Sequence, residues 1–306
     1  MKRALACFCT VFMFAAYGSA VSGSDALRVA VSIAPQRYFV ERIGGDRVTV
    51  DVMVPAGAEP HSFEPKPAQI AGLANADAYF AVGVTFERAW LNRFRSVNQD
   101  MRLVHTDEGI EKIPISGHDH DHDHGEADEH GHDDDNNEDS HGEPDPHIWL
   151  SPRLVRIQAD TIYRALVDLD PSGAEIYRDN HRALVADIDH LHEELAGLFA
   201  PFRGMAFMVF HPAWGYFADA YGLEQVAVEG DGREPRPADL ARLISFAREH
   251  DIRAVFVQPQ FSKRSARTIA DAVGGTVVEA DPMAEDWFVN MRKVAGAFGE
   301  AMRRNR

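Results

Sequence analysis

Residues 117–152 have the sequence GHDHDHDHGEADEHGHDDDNNEDSHGEPDPHIWLSP, whose two parts differ in composition. The first part alternates histidine with acidic residues and has almost no apolar side chain to bury, so we expect residues 116–143 to form a disordered loop. The second part holds apolar residues for packing, and Ser151-Pro152 is typical of a helix N-cap followed by proline in the first turn. A loop that attracts metal ions therefore leads into one fixed histidine, His147.

The loop itself is a candidate for auxiliary, weak metal binding. A purely solvated linker is the alternative, but histidine at this density favours contact with metal ions. The seven histidines of this His-rich loop are His118, His120, His122, His124, His130, His132 and His141.

On both sides of the loop, apolar strand-like segments alternate with helix-like segments. The predicted strands are 27–33, 48–54, 78–82, 102–105, 206–210, 225–228, 254–257 and 276–278. The predicted helices are 35–43, 67–73, 86–94, 152–169, 174–199, 214–221, 237–250, 263–273 and 287–303. This alternation predicts an α/β fold with two lobes, each a mainly parallel sheet flanked by helices.

The segment 174–199 is unusually long for a helix within one lobe. Its apolar residues recur at helical spacing over about seven turns, without a proline. We interpret it as a rigid connection between the lobes, with an ordinary surface helix as the alternative. The predicted organisation is an N-terminal lobe over residues 25–170, a linking helix over 171–200 and a C-terminal lobe over 201–306.

The charge of the chain narrows its possible partners. The 306 residues carry a formal net charge of −17, and the His-rich loop contributes no Lys or Arg. This charge argues against nucleic acid as a partner, because binding phosphates needs clustered basic residues. Cations are the natural small partners of an acidic protein.

The N-terminus has the composition of a secretory signal peptide. Lys2 and Arg3 precede an apolar run, and small residues end at Ala20, so we expect cleavage after residue 20 and a periplasmic location. Cys7 and Cys9 both lie in this segment, and a lipoprotein anchor at Cys7 is the weaker alternative. The mature chain would hold no cysteine, so a metal site must use nitrogen and oxygen ligands.

Three possible ligands follow predicted strands and a fourth precedes a helix. His61, His211 and Asp281 come after strands, where ligands collect in open α/β sheets, and His147 stands before the helix at 152–169. Three imidazoles and one carboxylate suit tetrahedral Zn²⁺. Spacing alone does not establish any of the four as a metal ligand, because a histidine after a strand is often only a surface or hydrogen-bonding group.

Four short motifs resemble one family of transport proteins. The motifs are Gly57-Ala58-Glu59-Pro60-His61-Ser62-Phe63-Glu64-Pro65, Asp145-Pro146-His147-Ile148-Trp149-Leu150-Ser151-Pro152, Phe210-His211-Pro212-Ala213-Trp214-Gly215-Tyr216-Phe217 and Asp281-Pro282. In this order they resemble the ligand loops of the periplasmic solute-binding proteins of zinc and manganese ABC importers, the ZnuA-like cluster A-I.

The resemblance implies two α/β lobes joined by a long rigid helix, with the metal in the cleft between them. It implies the ligands His61, His147 and His211, with Asp281 as the fourth ligand and Glu59 or water as alternatives. It also implies a monomer that catalyses nothing and delivers its ion to a permease in the inner membrane with its ATPase. Some zinc members carry a disulfide in the second lobe, which this mature chain cannot form.

Zinc is the predicted ion, and manganese is the alternative. Imidazole suits zinc and carboxylate-rich sites suit Mn²⁺, while the His-rich loop before the second motif is a mark of the zinc members. A zinc-dependent hydrolase is a less favoured function, since it needs an open ligand position and a general base such as Glu59 or Glu64. A zinc buffer or adhesin-like surface protein is a third possibility.

Overall fold

The computed structural model describes residues 26–115, 143–230 and 232–304. The predicted signal peptide (residues 1–20) and nearly all of the predicted loop at 116–143 lie outside these residues. Glu143, at the end of that loop, is described, and its carbonyl oxygen accepts a hydrogen bond from the N–H of Ile115 (2.8 Å). Within the described ranges, none of the helices combines the length and the hydropathy of a membrane span.

The first lobe is built on a four-stranded parallel sheet. Its strands are β1 (Leu27–Ile33), β2 (Val48–Val54), β3 (Ala78–Ala81) and β4 (Arg102–His105), in the order β2-β1-β3-β4. Helices α1 (Ala34–Gly44), α2 (Pro67–Gly72), α3 (Thr85–Val97) and α4 (Pro152–Leu169) belong to this half. Every residue of β3 is buried, as expected for a strand in a parallel sheet that is covered on both faces.

The second lobe repeats this arrangement. Its strands are β5 (Ala206–Val209), β6 (Glu224–Ala227), β7 (Ala254–Val257) and β8 (Thr276–Glu279), all parallel, in the order β6-β5-β7-β8. Its helices are α6 (Gly215–Tyr221), α7 (Pro237–Glu249), α8 (Arg264–Ala272) and α9 (Trp287–Arg304). The α/β prediction with two parallel-sheet lobes is confirmed.

The predicted long helix is also confirmed, as α5 (Ala174–Phe199). Its buried side chains are Tyr177, Leu184, Ile188, Leu191, Leu195 and Phe199. Helix α5 packs on α1 and α4 of the first lobe, and it also contacts α6 and α9 of the second lobe. α5 therefore contacts both lobes and connects them.

Most element ends agree with the sequence prediction within two residues, and α3 differs most. We predicted this helix over 86–94, and it runs from Thr85 to Val97. It ends where Asn98 leaves helical geometry, and the side-chain amide of Asn98 donates to the carbonyl oxygens of Leu73 and Ala76 in the segment that follows α2 (3.0 and 2.8 Å). This stop depends on contacts with a distant segment, which helical periodicity does not reveal.

Two buried tryptophans join the lobes beside the cleft. The indole nitrogen of Trp149 donates to the carbonyl oxygen of Pro282, and that of Trp287 donates to the carbonyl oxygen of Trp149 (2.7 Å each). Phe39 of α1 packs edge-on against the Trp287 ring, with 5.2 Å between ring centroids. The residues that follow His147 and Asp281 thus form part of the contact between the two halves.

Candidate metal centre

Three histidines from distant parts of the chain meet between the lobes. The Nε2 atoms of His61 and His147 lie 3.3 Å apart, those of His61 and His211 3.2 Å, and those of His147 and His211 3.3 Å. The structure thus brings three of the four predicted ligands together. Among the described residues, these three form the one group whose possible ligand atoms all lie within 4.8 Å of each other.

The spacing of these nitrogens fits a tetrahedral ion. Two ligands that each lie 2.0–2.1 Å from Zn²⁺ at the tetrahedral angle are separated by about 3.3–3.4 Å. An ion placed on the axis of the observed triangle would bind all three nitrogens with little movement of the rings. It would keep one further position for a fourth ligand.

Each histidine is held at the end of an element. His61 lies in the proline-rich loop between β2 and α2, His147 immediately precedes the short turn that leads into α4, and His211 lies two residues past the end of β5. His147 and His211 are 2% and 8% exposed, whereas His61 is only partly buried. His61 therefore forms the solvent-facing side of the site.

The second ring nitrogen of each histidine also has a partner. Nδ1 of His147 lies 2.7 Å from Oδ1 of Asp145, and Nδ1 of His211 lies 2.5 Å from Oε1 of Glu229. A carboxylate at Nδ1 holds the proton there, which leaves the Nε2 lone pair free for a metal and makes the imidazole a better donor. His61 instead has the neutral hydroxyl of Thr85 at 3.0 Å.

The sequence alone did not predict a role for the three supporting residues Asp145, Glu229 and Thr85. Asp145 stands two positions before His147 in a quoted motif, so its spacing was an available signal. Glu229 lies two residues past the end of β6, beside β5, and only the strand order places it near His211. Nothing in the sequence near Thr85 points to His61.

Burial keeps the imidazoles of His61 and His147 neutral. Desolvation, together with the nearby rings of His147 and His211, lowers the pKa of His61 to about 3. Desolvation and His211 lower the pKa of His147 well below its usual value. Neutral imidazole is the form that binds metal, so protons compete weakly with a cation for these two rings at neutral pH.

Asp145 itself is affected by its surroundings. Burial raises its pKa to about 7, against the opposing effects of the His147 N–H bond, His211 and Lys112. A nearby divalent cation would favour its ionised form.

The fourth predicted ligand is not part of the histidine group. Oδ1 of Asp281 accepts hydrogen bonds from the N–H of Met283 (2.8 Å) and from the side chain of Gln260 (3.5 Å). Glu59, the alternative, lies closer, with Oε1 3.9 Å from Nε2 of His61. Its oxygens also accept hydrogen bonds from the N–H groups of His61 and Ser62 (3.0 and 2.8 Å), so Glu59 stabilises the first ligand loop.

Apolar side chains surround the polar centre. Trp149, Phe261, Pro282 and Met283 line the cleft together with the histidines, Glu59 and Gln260. Such walls lower the local dielectric constant, which favours compact coordination of a single ion by the ring nitrogens. The seven histidines of the His-rich loop lie outside the described residues.

Comparison with known proteins agrees with this geometry. Residues 29–301 match the family described as the zinc-uptake complex component A, periplasmic (ZnuA). The high-affinity zinc uptake system protein ZnuA of Bacillus subtilis is 32% identical over 261 residues, which cover 84% of this chain and 78% of that protein. The manganese-binding lipoprotein MntA of Halalkalibacterium halodurans is 28% identical over 283 residues, covering 88% and 86%.

Solved structures of ZnuA are also similar to this chain. A crystal structure of ZnuA is 39% identical and superimposes with a TM-score of 0.81, covering 90% of this chain and 99% of that one. A ZnuA deletion mutant with zinc bound is also 39% identical, with a TM-score of 0.80, and covers 90% and 98%.

Proposed function

The chain belongs to the ZnuA family of periplasmic metal-binding components of ABC transporters, and from this premise we propose that it binds Zn²⁺ between its lobes and delivers it to the membrane permease. The family consists of solute-binding proteins rather than enzymes. Its members include proteins named for zinc and one named for manganese, so the identity of the ion in this chain is part of the proposal.

One observation carries the proposal: the three Nε2 atoms form a nearly equilateral triangle with sides of 3.2–3.3 Å. Neutral imidazole suits zinc, whereas Mn²⁺ prefers oxygen ligands. The two buried carboxylates near the site are directed at ring nitrogens rather than at the ion. The donor set that faces the ion is therefore rich in nitrogen, which supports zinc.

We keep Asp281 as the proposed fourth ligand, with Glu59 as the alternative. Both hydrogen bonds of the Asp281 side chain among the described residues involve Oδ1, so Oδ2 is available for an ion. The two residues that follow it, Pro282 and Met283, already line the cleft. In this proposal Oδ2 of Asp281 binds the ion at the open face of the triangle.

Manganese is the second candidate ion. MntA is named a manganese-binding lipoprotein, and it is similar to this chain over most of its length. Coordination by both Asp281 and Glu59 would shift the donor set towards oxygen, which Mn²⁺ prefers.

The remaining parts of the proposal concern transport. The mature protein acts as a monomer in the periplasm after removal of residues 1–20, and it docks on a permease that is driven by an ATPase. The His-rich loop collects zinc weakly near the cleft.

Metal titration of the mature protein tests the proposal. Competition with a chelator should show one tight zinc ion and much weaker manganese binding, and His147→Ala should abolish the tight site. Equal or tighter manganese binding would contradict the assignment of the ion. Tight zinc binding that survives His147→Ala would contradict the assignment of the site.

A further inference from the structure

A buried junction between the lobes lies directly behind the second metal ligand. Asp145 of the first lobe uses Oδ1 for two hydrogen bonds to His147, one from the backbone N–H (2.9 Å) and one at Nδ1 (2.7 Å). Its carbonyl oxygen accepts a hydrogen bond from the hydroxyl of Tyr216 in the second lobe (2.8 Å). Its other carboxylate oxygen, Oδ2, is buried and has no hydrogen-bond partner among the described residues.

Gln225 faces the same space from the second lobe. Its Oε1 accepts the backbone N–H of Trp214 at 2.6 Å, which fixes the orientation of the amide and directs Nε2 to the opposite side. This Nε2 is also buried and has no partner within the described part of the chain. A buried donor and a buried acceptor that both lack a partner are each costly, by about 1–3 kcal/mol.

Gly215 provides the space between these two atoms. A β-carbon built on Gly215 would lie 2.8 Å from Oδ2 of Asp145 and 3.8 Å from Nε2 of Gln225. The acceptor and the donor therefore both lie near the position that a side chain of residue 215 would occupy, with Cδ1 of Ile113 beside them, 3.4 Å from the same β-carbon. A site with polar partners on two sides is suited to an ordered water molecule.

We propose that Gln225 is a positioning residue for the metal site, which completes the hydrogen bonds of Asp145 through one bridging water and thereby holds the ring of His147. On one side of this water, Gln225 is bonded to Trp214, three residues after His211. On the other side, Asp145 is bonded to His147, two residues further along the chain. Gln225 thus connects the second and third ligand loops, which belong to different lobes. The inference rests on the proposed function, because it assigns Gln225 a role in binding the same ion.

The test combines zinc affinity with a double-mutant cycle in the full mature chain. Gln225→Leu should weaken zinc binding by about three- to tenfold, less than the 10–100-fold typical of a direct partner of a metal ligand. In an Asp145→Asn background the same substitution should have no further effect, because Gln225 acts through the carboxylate. A purely structural role would give the same loss in both backgrounds.

Gln158→Leu is the matched control. Gln158 is a fully buried glutamine of α4 whose side-chain nitrogen and oxygen also lack partners among the described residues, and it lies away from the cleft lining. Its replacement should leave zinc affinity unchanged. An unchanged affinity in Gln225→Leu, or equal losses in both backgrounds, would overturn the inference, whereas a wild-type protein that binds no zinc would overturn the proposed function instead.

A high-resolution crystal structure gives a readout that does not depend on zinc affinity. We expect density for one water within hydrogen-bonding distance of Oδ2 of Asp145 and Nε2 of Gln225. Separate partners for these two atoms, with no water between them, would contradict the proposal.

Discussion

The indole nitrogen of Trp287 donates a hydrogen bond of 2.7 Å to the carbonyl oxygen of Trp149, although 138 residues separate them. Both side chains are at most 1% exposed. Because Trp149 follows His147 by two residues, this bond connects a ligand loop of the first lobe to the first turn of α9 in the second. The hydrogen bond that joins the two lobes therefore also helps to hold the loop that carries His147.

Replacement of Trp287 should destabilise the fold. Trp287→Phe leaves the buried carbonyl of Trp149 without its donor and removes part of the contact with Phe39, which together should lower the free energy of unfolding by about 2–4 kcal/mol. Denaturant unfolding of the metal-free protein measures this. Trp90→Phe is the control, because Trp90 is only partly buried, and an equal loss in both variants would contradict the role of the hydrogen bond.

The lobes should move little when zinc is removed. A wide opening would break the hydrogen bonds of Trp149 and Trp287 and expose both rings to water, at a cost of several kcal/mol. Small-angle scattering of a variant without residues 117–142 should give the same radius of gyration with and without zinc. A clear increase on metal removal would show that the lobes do separate.

The partners of the ring nitrogens should affect zinc affinity unequally. Glu229→Gln keeps a hydrogen-bond acceptor for His211 but removes its charge, so we expect zinc to bind about 10–100-fold more weakly. Thr85→Val removes only a neutral partner of His61 and should cost less than tenfold. Chelator competition on both variants measures the difference, and a larger effect of Thr85→Val would contradict the argument from charge.

Stability should depend on the ionisation of Glu87 in α3. This carboxylate accepts hydrogen bonds from the N–H groups of Val82 and Gly83 (2.9 and 2.8 Å), but its burial raises its pKa to about 7. The unfolded chain loses this proton near pH 4.5 and the folded chain only near pH 7. Stability contributed by the protonated group is therefore present at low pH and falls as pH rises from about 4.5 to 7.

Comparison of Glu87→Gln with the wild type checks the predicted direction in which stability changes with pH. The neutral variant lacks the ionisation, so its stability relative to the wild type should increase by about 2–3 kcal/mol between pH 5 and pH 8. Glu175→Gln is the control over the same pH range, because the Glu175 side chain is 89% exposed. A flat difference for Glu87→Gln would mean that this carboxylate ionises normally in the fold.

Removal of the His-rich loop should separate two classes of metal binding. Deletion of residues 117–142 should leave the tight site intact, because His61, His147 and His211 all lie outside the deleted segment. The weaker zinc ions should disappear from the titration. Loss of the tight ion in this variant would mean that the loop supplies a ligand.

The sequence by itself determined the alternation of strands and helices and the length of α5, and it placed His61, His147 and His211 in loops next to strands and helices. These features depend on local patterns: buried strands are short apolar runs, helices repeat their apolar residues every three or four positions, and prolines stiffen the loops after strands. Such patterns act over a few residues, so the sequence alone predicts where each histidine stands along the chain.

Only the tertiary structure decided how these histidines meet and what supports them. His61 and His211 are 150 residues apart, and their 3.2 Å separation depends on how the two sheets dock through α5 and the tryptophans. The same docking places Glu229 behind His211 and leaves Asp281 outside the histidine group. Side-chain packing between lobes sets these distances, and no local pattern near any one ligand contains that information.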